Sequence, residues 1–152
     1  MTISDDEFIW FYQDCIADLL VGGDSSMPSM GGLYVSYKIG CTEKEWYEKA
    51  MAALTRLGIS GVIHCWHTQD DIRLVLKELF FDRSSMTWDS YYFELTEYGE
   101  KLAKKFRLDE EEDVETRVFP DFRKELERIL NEHGVGFDVD LPYDKLLSLD
   151  GE

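Results

Sequence analysis

Apolar side chains return every three or four positions in five stretches of this chain, and between those stretches shorter runs alternate apolar with polar residues. Phe8, Tyr12, Cys15, Ile16, Leu19 and Leu20 make the first stripe, with Asp14 and Asp18 on another side. Ser4-Asp-Asp-Glu7 ahead of it has the form of a capping box, in which the Ser4 hydroxyl takes a backbone donor and Glu7 reaches back to the cap. A helix is predicted from there to about Val21, stopped by Gly22-Gly23.

Residues 22–32 hold Ser, Pro28, two Met and four Gly without periodicity, so they predict a loop, and Leu33 to Ile39 alternates as a short strand does. A second capping box, Thr42-Glu-Lys-Glu45, opens a helix with Trp46, Ala50, Met51, Ala53, Leu54 and Leu57 on one side, ending at Gly58 in a left-handed cap. Val62 to His67 reads as a strand, residues 69–81 as a third helix capped by Thr68, and Trp88 to Leu95 as a second strand. Thr96 caps a helix carrying Leu102, Ala103 and Phe106. Pro120 stands in the first turn of a last helix with Phe122, Leu126, Ile129 and Leu130, closed by Gly134. Val135 to Val139 reads as an edge strand, and Tyr143, Leu146 and Leu147 as a short docked tail. The whole predicts one α+β domain over 1–152, predominantly helical, with about five helices and a small antiparallel sheet.

Two pieces of the middle, Ala53-Leu-Thr-Arg-Leu-Gly-Ile-Ser-Gly-Val-Ile63 and Tyr92-Phe-Glu-Leu-Thr-Glu-Tyr-Gly-Glu-Lys-Leu102, resemble winged-helix proteins of the MarR and PadR kind. In those proteins a recognition helix ends in a Leu-x-x-x-Gly turn, and a strand after the wing leads through Leu-Thr-Glu-x-Gly into the next helix. The resemblance implies a winged-helix-like middle. It departs from the family where DNA would be read: Glu43, Glu45 and Glu48 are interleaved with Lys44, Lys49 and Arg56, and a predicted helix stands in place of the basic wing.

Charge changes the picture most. With 16 Lys+Arg against 32 Asp+Glu the formal net charge is −16. Residues 1–37 carry six acids and no Lys or Arg, residues 38–107 carry eleven of each sign, and residues 108–152 carry fifteen acids and five bases. A field of that sign repels phosphate backbones and favours a basic protein partner, although acidity for solubility alone produces the same totals. At 44% hydrophobic residues the chain still has material for a core, so its charge does not predict disorder. It has no apolar run of spanning length, and Met1-Thr-Ile-Ser-Asp-Asp-Glu lacks a basic leader, so a cytoplasmic protein without membrane contact is expected.

Candidate chemistry is sparse. In His64-Cys65-Trp66-His67 a strand puts Cys65 and His67 on one face and His64 on the other, so at most two metal ligands converge, and neighbouring thiol and imidazole make a poor catalytic dyad. The three cysteines, Cys15, Cys41 and Cys65, are too few and too widely spaced for a disulfide framework. Asp5-Asp6-Glu7 and Asp70-Asp71 stand in first helical turns, where acids complement the dipole. The glycines match no phosphate-binding motif. No catalytic residue, cofactor or metal is predicted.

The chain resembles bacterial toxin-immunity proteins in character: small, acidic, motif-poor. That resemblance implies an inhibitor that occludes a basic, nucleic-acid-degrading toxin domain, with carboxylates standing where substrate phosphates would lie. The candidate contact residues are Asp5, Asp6, Asp14, Asp18 and Asp24 in the first region, Tyr47 among the aromatics, Asp109, Glu110, Glu111, Glu112 and Asp113 in the acidic connection, and Glu125 on the last helix with Glu127 and Glu132 beside it. The first helix and the loop after it are favoured, since no base there dilutes the field. Two alternatives use the same residues differently: a DNA-mimic inhibitor of another nucleic-acid enzyme, and a winged-helix regulator in which Lys44, Lys49, Arg56, Lys101, Lys104, Lys105 and Arg107 gather on one face.

Overall fold

A computed structural model describes residues 3–22, 43–65, 93–110, 112–114 and 116–139. The expectations for the loop 22–32 beyond its first residue, the strand 33–39, the helix 69–81, the start of the strand 88–95 and the tail around Tyr143 lie outside the described residues.

Ser4 holds an extended backbone and its Oγ accepts the Glu7 amide at 3.1 Å, which opens the first helix as the capping box predicts. The helical run then passes through α1 (Asp5–Phe8), a π-helical turn (Ile9–Gln13) and α2 (Asp14–Gly22). In the π turn the Asp14 amide bonds to the Ile9 carbonyl five residues back. That wider turn holds one extra residue, so everything after it is rotated by about 100° from the α-helical expectation. From Phe8 to Ala17 every side chain is buried except Trp10, which is half-buried. The run is a central rod enclosed on nearly all sides, with the outward face expected at Asp14 closed off.

The stripe Trp46, Ala50, Met51, Ala53, Leu54 and Leu57 of α3 (Glu43–Ile59) is buried as its spacing predicts. Its end differs from expectation. Gly58 stays helical and buried, and the left-handed residue is Gly61 at φ 82, where the Val62 amide bonds back to the Leu57 carbonyl at 2.9 Å. Strand β1 (Ile63–Cys65) then pairs antiparallel with β2 (Phe93–Leu95), in the register Ile63 to Leu95, His64 to Glu94 and Cys65 to Phe93. Ile63, Cys65 and Phe93 point into the core, and His64 faces out.

Thr96 caps α4 (Glu97–Lys105), accepting the Gly99 amide at 3.0 Å. A Cβ on Gly99 would stand 2.1 Å from the Val62 carbonyl oxygen, so a glycine is what lets this helix start lie directly on the strand. Pro120 opens α5 (Pro120–Glu132), and Gly134 at φ 73 closes it. The strand expected at 135–139 is instead a turn, with the Val139 amide bonded to the Gly136 carbonyl at 3.0 Å. The carbonyls of Val135, Gly136 and Val139 all face Arg56, and the two consecutive carbonyls of Val135 and Gly136 could not share one side of a strand.

Packing gathers these elements around the rod. Phe8 meets Phe122 of α5 at 5.9 Å between ring centres, Phe11 meets Trp46 of α3 at 6.5 Å, and α2 packs on α4 and β2. The observed class is α+β, predominantly helical, with a small antiparallel sheet. Among the described residues no helix is long and apolar enough to cross a membrane.

Candidate functional site

The acidic residues singled out from the sequence form three groups, and the rod touches all of them. Asp5 lies at the start of α1, 2.9 Å from the Arg123 guanidinium of α5, which also donates to the Ile3 carbonyl at 2.9 Å and pairs with Glu127 at 3.2 Å. Arg123 lies over the Phe8 ring at 5.0 Å. One cation thus bridges an acid of the first helix and an acid of the last, so two groups that look independent in sequence are neighbours.

The third group is held from the other end of the rod. Gln13 is buried, donates from Nε2 to the carbonyls of Val114 at 2.8 Å and Arg117 at 2.7 Å, and accepts the Phe119 amide at Oε1, 2.9 Å. Three hydrogen bonds from one amide side chain pin the segment that follows the acidic turn. Asp109, Glu110 and Glu112 are exposed there, and Asp113 is half-buried. Glu110 pairs with Arg107 at 3.5 Å and Asp113 with Arg117.

The remaining candidates divide. Asp14 is buried and presents no surface to another protein, which corrects its placement among the contact residues. Asp6 and Asp18 are exposed. Glu125 pairs with Arg128 at 2.5 Å and Lys105 at 3.7 Å. The hydrogen bond from Arg128, with the charges of Arg128 and Lys105, holds the Glu125 carboxyl below the usual glutamate range, and the same contact raises Arg128. Asp24 and Glu111 lie outside the described residues, as does the side chain of Tyr47 on α3.

Comparison with protein-family models, curated proteins and solved structures finds no match. The site's chemistry therefore rests on its own geometry. Among the described residues no group of three or more His, Cys, Asp or Glu could hold a metal ion. His64 and Cys65 stand on opposite faces of β1, and His64 bonds across to Glu94 at 2.8 Å. Cys15 is fully buried, and burial pushes its thiol well above the usual range, with Asp14 and Asp18 adding to the effect. It is an inert core thiol.

Each base named for a DNA-facing surface whose side chain is described is buried or ion-paired. Arg56 is buried, Lys49 pairs with Glu7 at 2.7 Å, Lys101 with Glu97 at 3.3 Å and Lys104 with Glu100 at 2.7 Å. Three side chains that hydrophobic patterning does not pick out, Gln13, Arg56 and Arg123, organise the acidic groups and the turns beside them. Only Gln13 leaves a trace in sequence: a polar side chain inside a stretch whose neighbours are almost all apolar.

Proposed function

We propose that this chain is an acidic protein-binding inhibitor of the immunity-protein or antitoxin kind, which blocks a basic nuclease-type toxin domain by occlusion. One observation carries the reading. Lys49, Lys101, Lys104, Lys105, Arg107, Arg117, Arg123 and Arg128 are each in an ion pair and Arg56 is buried, while exposed Lys124 has no ion pair among the described residues. Exposed acids such as Asp6, Glu112 and Asp121 have no ion pair among the described residues. Cations already engaged by carboxylates have little left for phosphates, and the surplus charge directed outward is negative. Such a field raises the association rate with a basic partner, by about 10- to 1000-fold in strongly steered cases. Carboxylates then occupy the groove that nucleic acid would enter. Action in the cytoplasm, where a toxin's own producer needs protection, belongs to the same reading.

The test is co-expression with candidate basic nuclease domains encoded beside this chain, followed by co-purification and a nuclease assay. The expected result is a stoichiometric complex without nuclease activity that forms more slowly as salt is raised. Measurable affinity of the chain for duplex DNA at low salt, with no basic protein retained, would overturn the proposal.

A further inference from the structure

We propose that residues 135–139 form a strap that opens as a unit while the helices stay folded, and that the Arg56 side chain is its latch. This goes beyond the inhibitor reading and does not depend on it. The strap has no strand or helix of its own. The Val135 amide bonds to the Leu130 carbonyl at 2.9 Å and the Val139 amide to the Gly136 carbonyl at 3.0 Å, both local contacts. Among the described residues its long-range polar attachment is to one side chain. Arg56 Nε donates to the Val135 carbonyl at 3.1 Å, and its NH2 nitrogen donates to the carbonyls of Gly136 at 3.2 Å and Val139 at 2.8 Å.

The dependence runs both ways. Arg56 is a buried guanidinium, 5% exposed. Among the described residues no carboxylate forms an ion pair with it; its other hydrogen bond goes to the Tyr12 hydroxyl at 3.0 Å. The cation is therefore stabilised by carbonyl dipoles that the strap brings, and the strap is held by donors that only this cation supplies. Phe137 completes the closure, its ring 5.0 Å from Tyr12, 6.0 Å from Phe8 and 5.4 Å from the guanidinium. The pivot is Gly134, in the left-handed region at φ 73 directly before the strap. Opening uncovers a groove lined by Phe8, Tyr12 and a guanidinium.

Native-state hydrogen exchange on the intact protein tests this. The amides of Val135 and Val139 are expected to exchange at least about tenfold faster than the hydrogen-bonded amides of α3 and α5, through an opening insensitive to low denaturant. Arg56→Lys keeps the charge but, with three donors radiating from one nitrogen, does not reproduce the fork that meets three carbonyls and the Tyr12 hydroxyl. It is expected to speed strap exchange by a further tenfold or so, with α3 and α5 unchanged. Phe137→Ala, which leaves the cation in place, is expected to act in the same direction. Should the Arg56→Lys variant fail to fold, exchange in the unmodified protein still decides. Strap and helix amides that exchange at one rate, with one denaturant dependence, would mean the strap opens only in global unfolding, and the proposal fails.

Discussion

Gln13 is the side chain on which most depends for its size. Replacing it with Ala leaves a buried amide at Phe119 and two carbonyls, those of Val114 and Arg117, without their partner. Unmade buried hydrogen bonds are costly, so Gln13→Ala should lower unfolding free energy by about 2–4 kcal/mol in chemical denaturation. Tyr12 makes a prediction about pH. Burial, partly offset by the Arg56 charge, raises its phenol from 10.0 to about 12. A group whose folded pKa exceeds its unfolded one contributes fully below the unfolded value and loses that contribution as pH rises to the folded one. Tyr12 should therefore add about 2–3 kcal/mol to the loss of stability between pH 10 and 12, read as the difference between the unmodified protein and Tyr12→Phe.

At the scale of elements, Thr96 ties a helix to a turn. Its hydroxyl accepts the Gly99 amide and donates to the Gly61 carbonyl, so Thr96→Ala should cost about 1–2 kcal/mol by the same measurement. Gly99→Ala should cost at least about 2 kcal/mol, because the atom in the way is the Val62 backbone and cannot rotate aside. Arg107 ends α4 at φ 59, the left-handed conformation that a side chain disfavours. Arg107→Gly should stabilise the protein by about 1 kcal/mol, seen as a higher Tm.

These elements also mark how far the fold is legible in the sequence. Ser4, Thr96 and Pro120 signal helix starts through local chemistry, which a neighbouring element does not rewrite, and all three stand where their residue types predict. Helix ends are harder to read: Gly58 is buried in α3 and the turn falls to Gly61, because packing rather than the first available glycine decides where a helix stops. Nothing in the sequence distinguishes Asp14 from Asp18, yet one is buried and the other exposed. Both stand on α2, four positions apart, and which of them is covered depends on the elements packed around the rod, which the local pattern does not carry. Arg56 is equally opaque, since a basic residue on an amphipathic helix reads as solvent-facing until its carbonyl partners, some eighty positions away, are seen.

Over the whole molecule carboxylates outnumber bases 32 to 16. If steering draws a basic partner to the acidic turn, changing both Asp109 and Glu112 to Lys should slow association about tenfold at low salt and little at high salt, read by stopped-flow mixing with that partner. The π turn has a different consequence, for how this chain tolerates change in length. Removing one residue from 9–13 would let the turn close as ordinary α-helix while α2 keeps its orientation, because the wide turn already accommodates one residue in excess. A library of single-codon deletions should therefore find these five positions more tolerant than positions 14–19, where a missing residue has no wide turn to absorb it and rotates one end of the rod by about 100°.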